Sequence, residues 1–300
     1  MFSQNHSPQW KRKNVFWPVP YNPDEHVLEN VASYIGNLDK LFVIDNQGGA
    51  DVASRIAALV PQKVVVIKNS ENEGIAKPLN RVLRLCDEEG FDLLLTMDQD
   101  SRFLPNAMGV YRSEAENFDW ETTFSLGPAT IVQESKSFKL DNAADRLIQW
   151  NPVRRMITSG SILSVQNARR IGGFDEGLFI DEVDNDICYR ASRFGFKLFQ
   201  SPDILLLHQI GKPVEKRFLS RTIRSKGHPP ERKYYIARNR IVVWRRFHRM
   251  NELYFFRHYI FENALDFLKI FYVEDDKLKK AKYFLRGVRD GFWGRVGKRL

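Results

Sequence analysis

Residues 93–101 constrain the fold more than any other part of the chain. Three leucines, Leu93 to Leu95, open a short apolar run, and the run ends in two aspartates one residue apart, Asp98 and Asp100. A short run of this kind is typical of a strand that is buried on both faces of a parallel sheet. Open α/β sheets bind their ligands beyond the carboxyl ends of the strands, which is where the two aspartates would lie. The pattern therefore predicts an α/β fold with a ligand site at Asp98 and Asp100.

The chemistry of the two aspartates favours a divalent metal. Paired carboxylates offer hard oxygen ligands to Mg²⁺ or Mn²⁺, and these ions are usually held by a few carboxylates together with substrate phosphates. A surface turn is the alternative, because Asp and Ser favour turns. The chain contains neither G-x-G-x-x-G nor G-x-x-x-x-G-K-[ST], so neither a dinucleotide site nor a P-loop is supported. A nucleotide held through a metal fits the sequence better.

Two earlier apolar runs end in polar residues in the same way. Residues 41–44 lead into Asp45, and residues 64–67 lead through a polar loop to Asn72. Between the runs, residues 27–35 and 79–86 have apolar positions at helical spacing. Strands that alternate with helices and end in polar groups indicate a nucleotide-binding α/β half.

These motifs resemble, in sequence and order, those of family 2 glycosyltransferases with the GT-A fold. The motifs of the first half are Tyr21-Asn22-Pro23, Val43-Ile44-Asp45-Asn46, Asn72-Glu73-Gly74 and Met97-Asp98-Gln99-Asp100. The second half resembles the bacterial rhamnosyltransferase branch, through Ser159-Gly160-Ser161, Gly172-Gly173-Phe174, Asp181-Glu182-Val183-Asp184, Leu207-His208 and Arg232-Lys233-Tyr234-Tyr235-Ile236-Ala237-Arg238-Asn239. The resemblance covers about residues 21–245, and the ordered set is more specific than any single motif.

The resemblance implies a mostly parallel sheet flanked by helices, followed by a basic, mainly helical C-terminal extension. It also implies an inverting glycosyltransferase that moves L-rhamnose from dTDP-β-L-rhamnose to a glycan or lipid-linked glycan acceptor in bacterial surface polysaccharide assembly. Another donor sugar, such as galactofuranose, and a non-catalytic glycan- or lipid-binding role remain open. A sugar-nucleotide pyrophosphorylase would need a glycine-rich basic loop near the N-terminus, and residues 17–20 do not resemble one.

The same resemblance assigns the site residues. Asp98, Asp100 and His208 would hold a divalent Mg²⁺ or Mn²⁺ ion, although a lone histidine beside a strand is often only a hydrogen-bonded core residue. Asp184 would be the catalytic base, with Asp181 as the second candidate. Acids in the first turn of a helix also stabilise its dipole, which is a purely structural alternative. The residues expected to bind the donor are Tyr21, Asn22, Asp45, Asn72, Asp98, Arg232 and Arg238.

Local features of the sequence give further expectations for the first strand, for a helix near Asp181 and for the N-terminus. Pro18 and Pro20 cannot donate ladder hydrogen bonds, so we expect the first strand to be short, irregular or displaced. If a helix began near Asp181, Asp181 and Asp184 would share one of its faces. Residues 1–14 are polar, contain a basic cluster and lack the apolar core of a signal peptide, so we expect a mobile N-terminal arm.

Composition and charge suggest how the chain divides into a catalytic domain and a C-terminal region. With 43% hydrophobic residues, the chain can bury a large core, and we expect a catalytic domain over residues 15–212. Residues 212–300 hold 24 Lys and Arg against 9 Asp and Glu, a net charge of +15, whereas the whole chain has +9. We expect a helical region over residues 213–300, and its basic and aromatic residues either cover a core or bind an anionic membrane surface. Nucleic acid is not an expected partner, because no binding module is recognisable.

The cell location and the cysteines complete the expectations. No apolar run approaches the length of a membrane span, so we expect a cytoplasmic protein. The positive charge of the C-terminal region adds the expectation that the protein attaches peripherally to the inner face of the cell membrane. Cys86 and Cys188 form no C-x-x-C pair, and we interpret both as reduced core thiols.

Overall fold

The computed structural model describes residues 13–19, 26–46, 50–132, 148–208, 214–218 and 221–300. Tyr21 and Asn22 lie outside these residues, as does nearly all of the predicted N-terminal arm. The chain divides into two compact units. The first unit comprises Met1–Asn72, Pro78–Gly173 and Arg190–Gln209, and the second comprises Glu73–Lys77, Phe174–Tyr189 and Ile210–Leu300.

A central sheet dominates the first unit. Its strands run in the order β3-β2-β1-β4-β8-β6-β9-β5, and β7 pairs with β9. The strands are β1 (Lys13–Val19), β2 (Lys40–Asp45), β3 (Val64–Lys68), β4 (Leu93–Thr96), β5 (Ser101–Phe103), β6 (Thr123–Val132), β7 (Asn151–Pro152), β8 (Ser161–Ser164) and β9 (Lys197–His208). On one side of the sheet, β3, β2, β1 and β4 pair in parallel with one another. On the other side, β8 is antiparallel to β4 and β6, while β6 and β9 are parallel.

Helices connect the strands of this sheet. They are α1 (His26–Ile35), α2 (Ala50–Leu59), α3 (Ala76–Glu88), α4 (Ala107–Glu116), α5 (Val165–Arg170) and α6 (Val183–Arg193). The predicted helical face of α1 is confirmed, because Val27, Val31, Tyr34 and Ile35 are buried. All four residues of β4 are buried as well, which is why this strand contains no polar residue before Thr96. Cys86 and Cys188 are buried, and neither is part of a disulfide.

The expectation of an irregular or displaced first strand is wrong. Strand β1 lies in the middle of the sheet and pairs in continuous register with β2, from Asn14 to Val19. Its pairing with β4 ends at Phe16. Pro18 therefore lies beyond the β4 ladder, where its missing N–H removes no hydrogen bond that this ladder needs.

The C-terminal segment of the second unit contains a hairpin that is followed by helices. Strands β10 (Val214–Phe218) and β11 (Arg221–Ser225) are antiparallel. They precede α7 (Pro230–Phe247), α8 (Glu252–Phe255), α9 (Glu262–Tyr272) and α10 (Lys277–Phe292). A π-helical segment, Phe256–Phe261, joins α8 to α9. Helix α7 begins at Pro230, because proline suits the first turn of a helix.

Aromatic side chains and one buried arginine form the core of the second unit. Tyr189, Phe247, Phe255 and Tyr259 are buried together. Arg238 is fully buried, and its guanidinium lies over the ring of Tyr235 at 4.9 Å from the ring centroid. Among the described residues, no helix is long and apolar enough to cross a membrane.

Candidate functional site

Two carboxylates and an imidazole converge at the carboxyl edge of the central sheet. Asp98 and Asp100 follow β4, and His208 is the last residue of β9. Strand β5 pairs antiparallel with β9 so that Ser101 lies opposite His208. One potential ligand atom from each of Asp98, Asp100 and His208 lies within 4.8 Å of the others. The predicted metal-binding residues are therefore brought together by strand pairing, although they are up to 110 positions apart in the chain.

The chemistry of this group suits a divalent ion that also binds a substrate phosphate. Carboxylate oxygens with one imidazole nitrogen form a ligand set that Mn²⁺ accepts, and carboxylates alone suit Mg²⁺. The side chain of Asp100 is 39% exposed and that of His208 is 23% exposed. The group is thus partly open, which leaves room for ligands that the protein does not supply.

Two serines fix the orientation of the histidine. The Oγ atom of Ser101 lies 2.7 Å from Nδ1 of His208. Ser159 donates its hydroxyl to Ser101 Oγ at 2.8 Å and accepts the backbone N–H of Asp98 at 3.1 Å. The same Nδ1 atom lies 3.5 Å from Oδ1 of Asp100, so the contact with Ser101 sets the orientation of the ring beside the aspartates. The sequence motif around Ser159 contains this residue, but nothing in the spacing alone indicates its contact with Ser101.

A chain of amides lies at the same edge of the sheet, beyond β2 and β3. Asn46 donates from Nδ2 to Oδ1 of Asn72, and Asn69 donates from Nδ2 to Oδ1 of Asn46, both at 3.1 Å. The backbone N–H of Asn69 donates to the carbonyl of Asp45 at 2.9 Å. Two predicted donor-binding residues, Asp45 and Asn72, are thus connected through Asn46 and Asn69. Because β2, β1 and β4 are parallel neighbours, this network and Asp98 share one edge of the sheet.

The acidic loop of the second unit precedes a helix, and Asp181 lies in the loop rather than in the helix. Helix α6 starts at Val183, and the backbone before it is left-handed at Phe179, Asp181 and Glu182, with φ of 66°, 62° and 64°. This region is unfavourable for residues other than glycine. Asp181 and Asp184 therefore do not lie on a common helical face, and the loop directs each carboxylate separately.

The three acids of this loop have different environments. Asp181 forms an ion pair with Arg232, with Nη2 and Oδ1 at 3.1 Å. Glu182 is only 13% exposed and accepts Nδ2 of Asn185 at 2.6 Å. Burial raises the pKa of the Glu182 carboxyl from 4.5 to about 7. Asp184 is partly exposed and accepts the backbone N–H of Asn185 at 2.9 Å.

The structure corrects the expectation for Arg238. Its guanidinium donates to the backbone carbonyls of Gly297 and Leu178, at 2.6 Å and 2.8 Å. Burial lowers the pKa of the Arg238 side chain. Because its donors are used inside the second unit and the side chain is fully buried, Arg238 is a structural residue and is not available to bind a donor. Arg232, which is partly exposed, is engaged by Asp181.

The sequence did not predict the contact through which Asn239 supports the acidic loop. Asn239 is fully buried. Its Nδ2 donates to the carbonyls of Leu178, Ile180 and Asp181 at 2.7 to 2.9 Å. The side chain therefore holds the left-handed backbone of the loop in place. The signal was present, because Asn239 belongs to the motif that carries the resemblance, but its target could not be inferred from spacing.

Comparisons with known proteins agree with this architecture. No family model matches the chain. The chain is 27% identical over 294 residues to the dTDP-rhamnosyl transferase RfbF of Shigella flexneri, covering 93% of this chain and 95% of the relative. It is 25% identical over 170 residues to the rhamnosyltransferase WbbL of Escherichia coli strain K12, covering 52% of this chain and 59% of that protein.

The solved structures extend the likeness to the fold. The mannosyltransferase PcManGT of Pyrobaculum calidifontis, solved in complex with GDP-Man and Mn²⁺, superposes with a TM-score of 0.57 at 11% identity, over 95% of this chain and 88% of that one. The central sheet, its helices and the helical C-terminus are those of a GT-A glycosyltransferase. Together, these comparisons show that the chain has a GT-A fold and that its sequence is similar to those of bacterial rhamnosyltransferases.

Proposed function

We propose that the protein is an inverting glycosyltransferase that transfers L-rhamnose from dTDP-β-L-rhamnose to a glycan or lipid-linked glycan acceptor. The convergence of Asp98, Asp100 and His208 at the carboxyl edge of the sheet carries the proposal. It is supported by the 27% identity, over nearly the whole chain, to a protein named dTDP-rhamnosyl transferase. The place of the reaction in surface polysaccharide assembly and the cytoplasmic location stay predictions.

In this proposal, the residues of the first unit bind the donor. Asp98, Asp100 and His208 would hold a divalent ion, which would neutralise charge on the diphosphate leaving group and orient it. Ser101 keeps the His208 ring in position through the contact at Nδ1. Asp45 and Asn72 would contact the nucleoside. Asn46 and Asn69 restrict the Asn72 amide by hydrogen bonding before the donor arrives, which reduces the entropy lost on binding.

In the second unit, we assign the base to Asp184 rather than Asp181. The Asp181 carboxylate is already paired with the Arg232 guanidinium, and a neighbouring cation weakens the basicity of a carboxylate. Asp184 is partly exposed and accepts a hydrogen bond from the backbone N–H of Asn185. It would take the proton of the acceptor hydroxyl while the acceptor oxygen bonds to the anomeric carbon and the bond to the diphosphate breaks. A single displacement of this kind inverts the configuration.

A donor screen tests the proposal. The purified protein is incubated with dTDP-β-L-rhamnose, GDP-mannose or UDP-GlcNAc, each with Mn²⁺ and with EDTA, and thermal unfolding and donor consumption are measured. A donor at 100 times its Kd should stabilise the protein by about 2.7 kcal/mol, because it binds only the folded state. We expect Mn²⁺-dependent stabilisation and consumption with dTDP-β-L-rhamnose, and an inverted anomeric centre in the product. Preference for another donor would refute the rhamnosyl assignment, and no response to any donor would refute the transferase assignment.

A further inference from the structure

The second unit exposes an apolar stripe along α8 and α9. Its residues are Leu253, Phe256, Phe261, Leu265, Leu268 and Phe271, and all are exposed large hydrophobic side chains. Their spacing of three to five residues follows the turns of the helix. The five-residue step falls in the π-helical segment, where residues five apart lie on one face. These side chains therefore form one stripe that faces away from the core.

This stripe is unusual because the opposite face of the same helices is also apolar. Phe255, Tyr259 and Ile270 are buried in the core of the unit. A helix whose solvent face is polar needs no cover, whereas an apolar stripe of this length marks an interaction surface. Leu253 and Leu268 are 79% and 63% exposed, so the described residues of the chain do not cover them.

Helix α10 of the same unit exposes apolar and basic side chains together. Leu278, Leu285 and Phe292 are exposed and are interspersed with exposed lysines and arginines. Trp293 follows the helix and is 68% exposed, with the Arg295 guanidinium at 4.6 Å from its ring centroid. Helices that lie in a membrane interface combine exposed leucine and aromatic residues with lysine and arginine, whose long stems follow the apolar surface into the headgroups. Tryptophan is enriched at the same depth.

The charge of this region indicates what binds to these exposed faces. Residues 277–300 contain nine Lys and Arg and one Asp, and residues 212–300 have a net charge of +15. A second copy of the chain would place this positive surface against another one, and like charges across an interface oppose association. An anionic lipid surface has the complementary charge and also accepts the apolar side chains. Helices α9 and α10 pack together through Phe267 and Phe284, so both exposed faces belong to one rigid part of the unit.

We propose that the exposed faces of α8, α9 and α10 dock the protein onto the surface of an anionic lipid bilayer. The apolar side chains enter the boundary between headgroups and acyl chains, and the lysines and arginines bind the anionic headgroups. Attachment of this kind is reversible and does not require a membrane-spanning helix. It does not depend on the sugar that the protein transfers.

Flotation of the full chain with liposomes tests the proposal. We expect recovery with phosphatidylcholine–phosphatidylglycerol vesicles, little recovery with phosphatidylcholine alone, and release by 1 M NaCl, at which screening acts over about 3 Å. The variant Leu253→Ser/Phe256→Ser/Leu268→Ser should lose at least ~10-fold in partitioning. The variant Lys277→Gln/Lys279→Gln/Lys282→Gln should lose about 100-fold. All six positions are exposed, so circular dichroism should show folded proteins.

A matched control removes exposed apolar side chains elsewhere. Leu59→Ser/Phe194→Ser changes two exposed residues of the first unit and should float like the wild type. Equal loss in this control would overturn the proposal. Failure of the folded wild type to float with either vesicle would also overturn it. So would a salt-resistant dimer in sedimentation that is abolished by the α8–α9 substitutions, because the stripe would then bind a second copy.

Discussion

The chemical roles of neighbouring carboxylates depend on what each one contacts. Asp181, Glu182 and Asp184 lie within four positions, but their contacts differ. Asp181 is paired with the Arg232 guanidinium at 3.1 Å, and Glu182 lies 3.7 Å from the Arg240 guanidinium with a pKa that burial raises. Asp184 accepts the backbone N–H of Asn185. The left-handed backbone at Asp181 and Glu182 separates their directions. The motif in the sequence identifies the loop, and only the contacts distinguish among its acids.

Asp184→Asn should therefore abolish transfer more severely than Asp181→Asn. The substitution is nearly isosteric and removes the proposed base, so we expect kcat to fall by roughly 10²- to 10⁴-fold with donor binding unchanged. Asp181→Asn breaks the pair with Arg232 and should leave kcat within about 10-fold of the wild type. Transfer rates and donor affinity are measured for both variants. A nearly normal kcat in Asp184→Asn, with Asp181→Asn inactive, would assign the base to Asp181.

The contact between Ser101 and His208 predicts an effect on metal affinity. Residues that orient a metal ligand typically contribute 10- to 100-fold to metal binding. Ser101→Ala removes the oxygen at 2.7 Å from Nδ1, so we expect Mn²⁺ to bind about 10- to 100-fold more weakly, as measured by isothermal titration calorimetry. Ser113→Ala, at an exposed position on α4, is the control and should bind Mn²⁺ like the wild type. Unchanged affinity in Ser101→Ala would contradict an orienting role.

At the scale of elements, close approach of two helices depends on a glycine. A Cβ atom at Gly287 of α10 would lie 2.3 Å from the carbonyl oxygen of Tyr234 in α7. Gly287→Ala should therefore force the helices apart and destabilise the protein by about 1–3 kcal/mol, which is typical of overpacking. Gly36→Ala is the matched control, because a Cβ there would meet no atom within 4 Å. Denaturant unfolding of both variants measures the difference, and equal stability would contradict the steric argument.

Elements with strong periodicity were predictable from the sequence, and elements that depend on tertiary contacts were not. The apolar runs that became β2 and β4 were identified correctly, because burial on both faces leaves few polar positions. The run that became β3 was also identified, although this strand lies at the edge of the sheet and is partly exposed. The first strand was misjudged, because the effect of Pro18 depends on where the neighbouring β4 ladder ends. The conformation of the loop before α6 could not be predicted, because Asn239, which is 58 residues from Asp181 in the chain, holds this loop in a left-handed conformation.

The aromatic residues of the C-terminal region illustrate the same limit. Composition could not distinguish a helical core from an exposed surface, and the structure contains both. Phe255 and Phe284 are buried, whereas Phe256, Phe271 and Phe292 are exposed. Adjacent residues such as Phe255 and Phe256 differ only in the direction in which the helix presents them. That direction depends on which face packs against α7 and α10.

At the scale of the whole molecule, the compact units do not follow a single boundary in the sequence. Residues 73–77 and 174–189 group with the C-terminal region. The backbone N–H of Ile75 donates to the carbonyl of Phe179 at 2.7 Å, and Arg246 of α7 forms an ion pair with Asp186 at 2.9 Å. These contacts join segments that are more than 50 positions apart, which a linear change of composition near residue 212 could not reveal.

Two titratable groups of the second unit should give the stability of the protein opposite dependences on pH. Burial raises the pKa of the Glu182 carboxyl from 4.5 to about 7. The folded state therefore binds this proton more tightly than the unfolded state, and the stabilisation is lost as pH rises from 4.5 to about 7. Burial lowers the pKa of the His228 imidazole from 6.5 to about 4. Here the unfolded state binds the proton more tightly, so stability is lost as pH falls from 6.5 to about 4.

Single substitutions separate the contributions of Glu182 and His228 to the pH dependence of the protein's stability. Thermal unfolding of the wild type, Glu182→Gln and His228→Gln is measured from pH 4 to 8 at constant ionic strength. The stability of the wild type relative to Glu182→Gln should decrease as pH rises from 4.5 to about 7. Its stability relative to His228→Gln should increase as pH rises from about 4 to 6.5. Other titrating groups are common to the three proteins and cancel in these differences. A flat difference for either variant would mean that its group titrates alike in the folded and unfolded states, and the burial of that side chain would not explain the pH dependence.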